Sequence, residues 1–570
     1  MTVIKTHGRE TLSEFCLLLA FLLIAFMAAL IGFAWLGFVA GWSLTKVQPW
    51  LALISVLVFL PVALGGKLVQ LDLSLRLFAA LAACTTVGIA LFAGASFADY
   101  SCDGVGYHGT GTLQLLEGWN PLRQPGRADA PQLLQQEVMI HYAKGPWISA
   151  AGLCQLAGKV EAGKATTLIL IAACFFLALH AQAKHTRLGP AKMVILSALV
   201  ALNPISLNQC LTFYVDGQLA ALFTILVLSS CLQLLEQRAL NFMLTILTIL
   251  LLINVKLTGL VYVCVFGATF CIALFALKRL DALPSLAATY AIGVFLGLAV
   301  GYNPYVTNLQ TTGNPLFPFT FDQTKRGTEE NFTNNQMPVS FRGRNRFDTF
   351  LRSVFGRCQN SYDYSSQTFS GGSLKTPFTV SAAEVRCFKD VDTRICGWGP
   401  LTSGVLICAL AATCTAKRRE RQKYGKIGLT LTLCVLATVF VIPHPWWARY
   451  VPQLWLLPVI AAVALWLSER KLDQLFGAAL IALMFANLAM ISIPAVRASY
   501  SFTRLLHSQL KWLAEQNRTY SVAFGDYRFN QLRLQEFGIR YRVVETIPSQ
   551  AKQLELAGDP SSKTLVSLEE

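Results

Sequence analysis

Four positions in this chain carry residue types that do chemistry, each where a charge is costly to place. Asp103 lies in Asp99-Tyr-Ser-Cys-Asp103-Gly-Val-Gly-Tyr107-His108. A carboxylate there can take a proton from a bound hydroxyl. Gly104 and Gly106 let the backbone approach a ligand closely, and Tyr107 and His108 offer hydrogen bonds to it. Asp99 is the competing carboxylate, and a solvated loop acid is the plainer alternative. Asp216, in Tyr214-Val-Asp216-Gly, sits at the rim of an apolar run. An ionisable group so placed usually has a purpose, or else it is a helix-end charge reaching the interface. Lys256, between two apolar runs, either meets an anion as a point charge or snorkels along its stem. Arg449 lies in Pro443-His444-Pro445-Trp446-Trp447-Ala-Arg449-Tyr450. Its guanidinium presents planar paired donors that suit a phosphate and stays charged. Trp446, Trp447 and Tyr450 suit the headgroup level of a bilayer, so an interface anchor without a ligand is the alternative. Lys144, in His141-Tyr-Ala-Lys144-Gly-Pro146, is a second candidate for the anion.

The elements that must position these residues are membrane spans. Of 570 residues, 54% are hydrophobic and 14% charged, and the mean hydropathy is +0.51. Soluble domains carry about 25% charged residues, so an ordinary cytosolic enzyme is excluded, as is a disordered chain. Crossing about 30 Å of hydrocarbon takes roughly 20 apolar residues. Runs of that kind fall near 15–41, 50–66, 76–97, 165–183, 190–209, 214–235, 240–255, 258–277, 284–304, 401–416, 427–443, 451–468 and 474–494. The expected fold is therefore an all-α polytopic membrane protein of about 13 transmembrane helices. The first run is too long for a removable signal peptide and reads as a retained anchor.

The net charge of +16 follows the loops rather than a nucleic-acid surface. With the N-terminus inside, Arg76, Lys184, Arg187, Lys192, Arg238, Lys278, Arg279, Arg470, Lys471 and the cluster Lys417, Arg418, Arg419, Arg421, Lys423, Lys426 all fall inside, as the positive-inside rule requires. The long loops 98–164 and 305–400 fall outside, with the tail from 495. Asp103, Trp119 of Glu117-Gly-Trp119-Asn-Pro121, Lys144, Gly313-Asn-Pro-Leu-Phe-Pro318, His444 and Arg449 then share one face. Aromatic rings, Asn-Pro turns and single charges on one membrane edge fit a polar, ring-shaped substrate.

In order and sidedness these segments resemble the GT-C superfamily of membrane glycosyltransferases, which includes protein mannosyltransferases and lipid A aminoarabinose transferases. The resemblance covers about residues 76–494 and rests on the Asp103 loop ending Gly-Trp-Asn-Pro, Tyr214-Val-Asp216-Gly, Asn254-Val-Lys256-Leu-Thr-Gly, Gly313-Asn-Pro-Leu-Phe-Pro318 and His444…Arg449-Tyr450…Pro452. Two features depart from it: the acidic loop follows the third span rather than the first, and Asp103 precedes Gly rather than a second acid. The resemblance implies transfer of a sugar from a polyprenyl-phosphate donor to a glycan, lipid or protein acceptor of the cell envelope, such as lipopolysaccharide. It implies Asp103 as catalytic base, with Tyr107, His108, Trp119, Lys144, Asp216, Lys256, His444, Arg449 and Tyr450 binding substrate. No cofactor is expected. The expected location is a bacterial inner membrane with the site facing the periplasm. A transporter or flippase of lipid-linked sugars is the alternative, although the internal repeat typical of transporters is not evident. An O-antigen ligase or polymerase also fits His444 with Arg449.

Three units follow: an N-terminal hairpin (1–75), a transmembrane core (76–494) with the two outer loops, and a small soluble α/β tail (495–570). In the tail, Leu505, Leu506, Leu510 and Leu513 predict an amphipathic helix, followed by strand, helix and strand at Tyr520–Phe524, Asn530–Phe537 and Tyr541–Val544. Nine cysteines (Cys16, Cys84, Cys174, Cys231, Cys264, Cys271, Cys408, Cys414, Cys434) lie in apolar spans, and Cys102, Cys358, Cys387 and Cys396 lie in outer loops with open pairing. No His/Cys/Asp spacing suits a metal, and no Gly-rich nucleotide loop is present. Asn331-Phe-Thr333 and Asn517-Arg-Thr519 are sequon-like.

Overall fold

A computed structural model describes residues 2–65, 68–124, 139–317, 337–360, 372–419, 423–525, 528–558 and 563–569, with the side chains of 8–412 and 427–569 within those ranges. The basic cluster at 417–426, Cys414, Pro318 and Asn331-Phe-Thr333 lie outside the described side chains. Among described residues, seven helices are long and apolar enough to cross a bilayer: Gly8–Val39, Leu73–Ala95, Val160–His185, Asp216–Glu236, Leu257–Ala276, Leu283–Val300 and Lys471–Glu515. Six shorter apolar helices accompany them: Val47–Ala63, Pro190–Ala201, Ala239–Val255, Thr402–Ala412, Ile427–Phe440 and Pro452–Trp466. Together they match the thirteen apolar runs, so hydropathy alone locates the elements.

Their surfaces show which solvent they meet. Phe92 is 76% exposed, Phe295 70% and Ile272 67%. Apolar side chains so open on three helices would aggregate in water and suit hydrocarbon. Inside, helices approach through small residues: a Cβ at Gly267 would strike Tyr290 at 2.6 Å, and one at Gly293 would strike Ile249 at 2.9 Å. Polar residues join the same helices, as in Ser230 with the Tyr290 hydroxyl (2.9 Å) and Gln233 with Thr289 (2.9 Å). Small residues and interhelical hydrogen bonds are how helices associate in lipid.

The two ends of the bundle carry different sets of charged residues. At one end Arg238 holds Glu14 with two bonds (2.6 and 2.7 Å) and reaches the Leu68 carbonyl. There His180 and His185 share Glu236, Arg9 binds the Thr186 carbonyl, and Lys192 lies 5.4 Å over the Trp466 ring. The described parts of loops 98–164 and 305–400 meet at the opposite end. The first loop contains regular structure: Gly104–His108, Gly109–Leu116 and Gly145–Ala157 are helical turns and helices. In the second loop Cys358 donates to the Cys396 carbonyl (3.4 Å) and Cys387 to the Cys358 carbonyl (3.3 Å). Cys358, Cys387 and Cys396 are free thiols.

The tail departs from the expected boundary at 494/495. One helix, Lys471–Glu515, runs straight through it for 45 residues, with Pro494 inside. Its far end buries Leu506, Leu510 and Leu513, spaced to share one face, against a four-stranded sheet, while Leu505 points away at 54% exposure. The strands are β1 (Thr519–Ala523), β2 (Arg540–Val543), β3 (Gln553–Glu555) and β4 (Leu565–Ser567), in the order β2-β1-β4-β3. The β1–helix–β2 unit around Asn530–Glu536, with β1 parallel to β2 from Thr519↔Arg540, agrees with the expected strand–helix–strand. β3 and β4 were not expected, because three-residue strands are too short to show an alternation.

Candidate active site

The site is built at breaks in the helices. Lys256 is a single extended residue (φ −164°, ψ 152°) between helices Ala239–Val255 and Leu257–Ala276. Only glycine fits three residues on, where a Cβ on Gly259 would lie 1.9 Å from the Leu252 carbonyl oxygen. Asp216 opens helix Asp216–Glu236 after the turn that follows Pro204–Gln209. Arg449 lies in the short turn Ala448–Tyr450, ahead of Pro452.

Three carboxylates converge on that guanidinium. Arg449 Nη2 donates to Asp103 (2.7 Å) and Nη1 to Asp392 (3.1 Å), and Nε lies 3.0 Å from Asp216 Oδ2. The last is a charge contact too bent for a hydrogen bond, since that N–H has no acceptor. Asp216 also receives Lys256 Nζ (2.9 Å) and Gln209 (3.4 Å). Asp392 receives the Trp447 indole (2.7 Å) and lies 3.4 Å from Arg394. The cluster thus balances Asp103, Asp216 and Asp392 against Arg449, Lys256 and Arg394. Burial alone would lower the Arg449 pKa, but the carboxylates raise it well above the ordinary value, so it stays charged. Taking ions out of water costs several kcal/mol each and their mutual attraction only about repays it, so such a cluster adds little stability. That points to use rather than to packing.

The partners are held unequally. Asp216 and Arg449 have side chains only 1% and 9% exposed, whereas Asp103 is 27% exposed and Arg449 is its charged partner. Around the cluster stand rings: the Arg449 guanidinium lies 4.8 Å from the Tyr214 ring and 5.2 Å from Trp447, and Lys256 lies 4.8 Å from Tyr450. Tyr107, Tyr142, Lys256 and Tyr450 are half-buried, as is Asp103. Burial pushes the Tyr450 phenol up to about 12, and the Tyr107 and Tyr142 phenols well above the usual range, so all three remain neutral donors. Among described residues no group of three or more His, Cys, Asp or Glu has metal-ligand geometry.

Other candidates stand further out. His108 is buried and accepts the Trp147 indole N–H at Nδ1 (3.0 Å), with burial holding its pKa well below normal. Trp119 is buried 6.4 Å from the Trp147 ring and donates to the Gln124 carbonyl (3.2 Å). Lys144 spends its ammonium on the carbonyls of Ile140 (2.9 Å) and Tyr142 (2.5 Å). All three meet Trp147, whose ring Lys144 approaches at 5.5 Å. Asp99, the competing carboxylate, is wholly buried, with Ser101 N–H (2.8 Å), Ser101 hydroxyl (2.6 Å) and Phe213 N–H (2.6 Å) on its two oxygens. Asp392 and Arg394 were missed, because a loop Asp-Thr-Arg carries no mark of burial in the sequence.

Among described residues no hydrogen bond or ion pair joins His444 to Arg449. Burial lowers the His444 pKa to about 4. The unfolded chain therefore binds a proton at this residue below about pH 6.5 that the folded chain rejects until about pH 4. Stability is full above pH 6.5 and falls with pH across that window, by up to about 3 kcal/mol from this group. The thermal midpoint in detergent should drop from pH 7 to pH 4.5, and His444→Gln should flatten part of that slope. An equal slope in the variant would show that this imidazole is not the source.

No protein-family model matches the chain, and no curated protein sequence matches it. Among solved structures, the crystal structure of ArnT from Cupriavidus metallidurans bound to undecaprenyl phosphate is similar over 86% of this chain and 98% of that one, with 9% identity and a TM-score of 0.43. A likeness that slight places no ligand here, and the residues above stand on their own geometry.

Proposed function

We propose that the chain is an integral-membrane glycosyltransferase that takes a sugar from a polyprenyl-phosphate donor and passes it to a cell-envelope glycan, lipid or protein acceptor on the outer face. The observation that supports this reading is Asp103, an accessible carboxylate, paired at 2.7 Å with Arg449, which with Lys256 lies at one end of the bundle. A lipid phosphate enters from the bilayer and needs an anion site at that depth, and guanidinium plus ammonium supply one. In the transfer, the acceptor oxygen attacks the anomeric carbon and the bond from that carbon to the phosphate oxygen breaks. The acceptor proton goes to Asp103, and the lipid phosphate leaves with both electrons of the broken bond, stabilised by Arg449 and Lys256. Tyr107, Tyr142 and Tyr450 offer hydroxyls and ring faces to the sugar.

The pairing adds a step. Asp103 already occupies Arg449, so an arriving phosphate must displace it. Of the three carboxylates it is the one that yields, because Asp216 and Asp392 have further partners. Displacement frees the Asp103 carboxylate as a base when the donor is in place. The test compares envelope glycans and lipid-linked sugars of cells with and without the chain by mass spectrometry. Loss of one sugar residue, with its lipid-phosphate precursor accumulating, is expected. Accumulation of a lipid-linked sugar confined to the inner leaflet would overturn transfer in favour of transport.

A further inference from the structure

The tail reaches the Asp103 loop through one buried side chain. Arg533, on the helix Asn530–Glu536, is 4% exposed. Its Nε and Nη2 hold Glu161 Oε1 at 2.8 and 2.6 Å, and Nη2 also donates to the Asp99 carbonyl at 2.7 Å. On the sheet side, Arg533 Nη1 binds Asn530, which in turn binds Thr564 (2.9 Å each). On the membrane side, Glu161 Oε2 accepts Lys164 Nζ (2.7 Å) and the Asp99 N–H (3.2 Å), and Lys164 also binds the Phe97 carbonyl. Asp99 then fixes Ser101, whose carbonyl accepts the Val105 N–H (3.0 Å). Asp103 lies inside that turn. A second contact supports the first: the buried Phe529 ring lies 5.1 Å from Phe213, and a Cβ on Gly109 would strike Phe529 at 2.7 Å.

We infer that Arg533 is a positioning residue: through Glu161 and the Asp99 carbonyl, the tail holds the Asp103 turn beside Arg449, so that the carboxylate stays at the site when phosphate displaces it from the guanidinium. Two charge pairs and a backbone bond, all buried, fix this turn, and Arg533 supplies one pair and the backbone bond from the tail. A fully buried charge-assisted network of this kind rigidifies what it holds. The docking does not depend on Arg533 alone. Glu536 binds Lys159 (3.0 Å) and the Val160 N–H (2.8 Å), and Gln531 binds Glu117 (3.0 Å) at the rim. Removing Arg533 therefore loosens the turn and leaves the tail attached.

This inference rests on the proposed transferase reading only for its kinetic arm. Hydrogen exchange in full-length protein in nanodiscs reads the turn directly. Arg533→Gln should speed exchange across 99–116 about tenfold or more, with β1 and the membrane helices unchanged. Arg533→Lys, which keeps the charge on Glu161 and loses the two-pronged bond, should fall between. In the transfer assay Arg533→Gln should lower kcat about tenfold or more with the donor KM within about twofold, while Glu536→Gln keeps wild-type kcat. Unchanged exchange at 99–116 would overturn the inference. Faster exchange of β1 as well would also overturn it, showing Arg533 to serve tail folding instead. A wild-type chain without transferase activity would sink the functional proposal, and the exchange result would still decide the role of Arg533.

Discussion

Asp103→Asn should bind a polyprenyl phosphate more tightly than the wild type and yet transfer at least about 10²-fold more slowly. The amide keeps the shape and a carbonyl oxygen for Arg449, so the turn stays in place. It removes the negative charge that competes with phosphate for the guanidinium at 2.7 Å, and it removes the base. Proton transfer by a positioned group is worth about 10²–10⁴-fold, and a loss of kcat without a rise in KM marks an interaction needed in the transition state alone. Donor binding to purified protein and single-turnover transfer measure the two effects separately. Near-wild-type transfer in this variant would remove Asp103 as the base. Weaker donor binding would show that phosphate does not displace Asp103.

Arg449→Ala should have the largest effect on both stability and activity. It leaves Asp103 facing solvent but Asp216 and Asp392 buried, with only Lys256 and Arg394 as cations. Breaking a buried pair by removing one partner costs about 3–5 kcal/mol, so the thermal midpoint should fall by several degrees and transfer should become undetectable. Arg449→Lys should recover part of the midpoint but little transfer, because one ammonium cannot span three carboxylates in separate directions. Adding Asp392→Asn to Arg449→Ala should recover part of the stability, because it removes a buried charge left with Arg394 at 3.4 Å as its cation, without restoring transfer. Full transfer by Arg449→Ala would exclude the guanidinium as the phosphate site.

The contrast between what was and was not legible in the sequence follows from range. Apolar runs are local, so thirteen helices could be placed from hydropathy, and the Lys256 break could be read from Asn254-Val-Lys256-Leu-Thr-Gly259. Asp103, Asp216, Lys256 and Arg449 stood out because a charge beside an apolar run is conspicuous, and the fold brings all four into one cluster. Asp392 and Arg394 did not stand out, because they become buried only when the second loop folds over Trp447. Lys144 and Trp119 differ from Arg449 in another way. Their neighbourhood in sequence is as suggestive as that of Arg449, yet local carbonyls at Ile140, Tyr142 and Gln124 take their donors. Whether a polar side chain faces a ligand or its own backbone is settled by a few ångströms of loop path, which residue spacing does not encode.

The unbroken helix Lys471–Glu515 gives the chain a rotational phase. Each residue advances an α-helix by about 100° and 1.5 Å, so the azimuth of Leu506, Leu510 and Leu513 is geared to that of Met484, Leu488 and Ile491, which are buried in the bundle. One residue inserted between 495 and 505 would turn the leucine stripe about a quarter revolution off the sheet and carry Arg533 away from Glu161. A flexible linker would forgive such a change in length. Here the spacing between the membrane and the tail is as constrained as any residue in the site, and it is counted in whole helical turns.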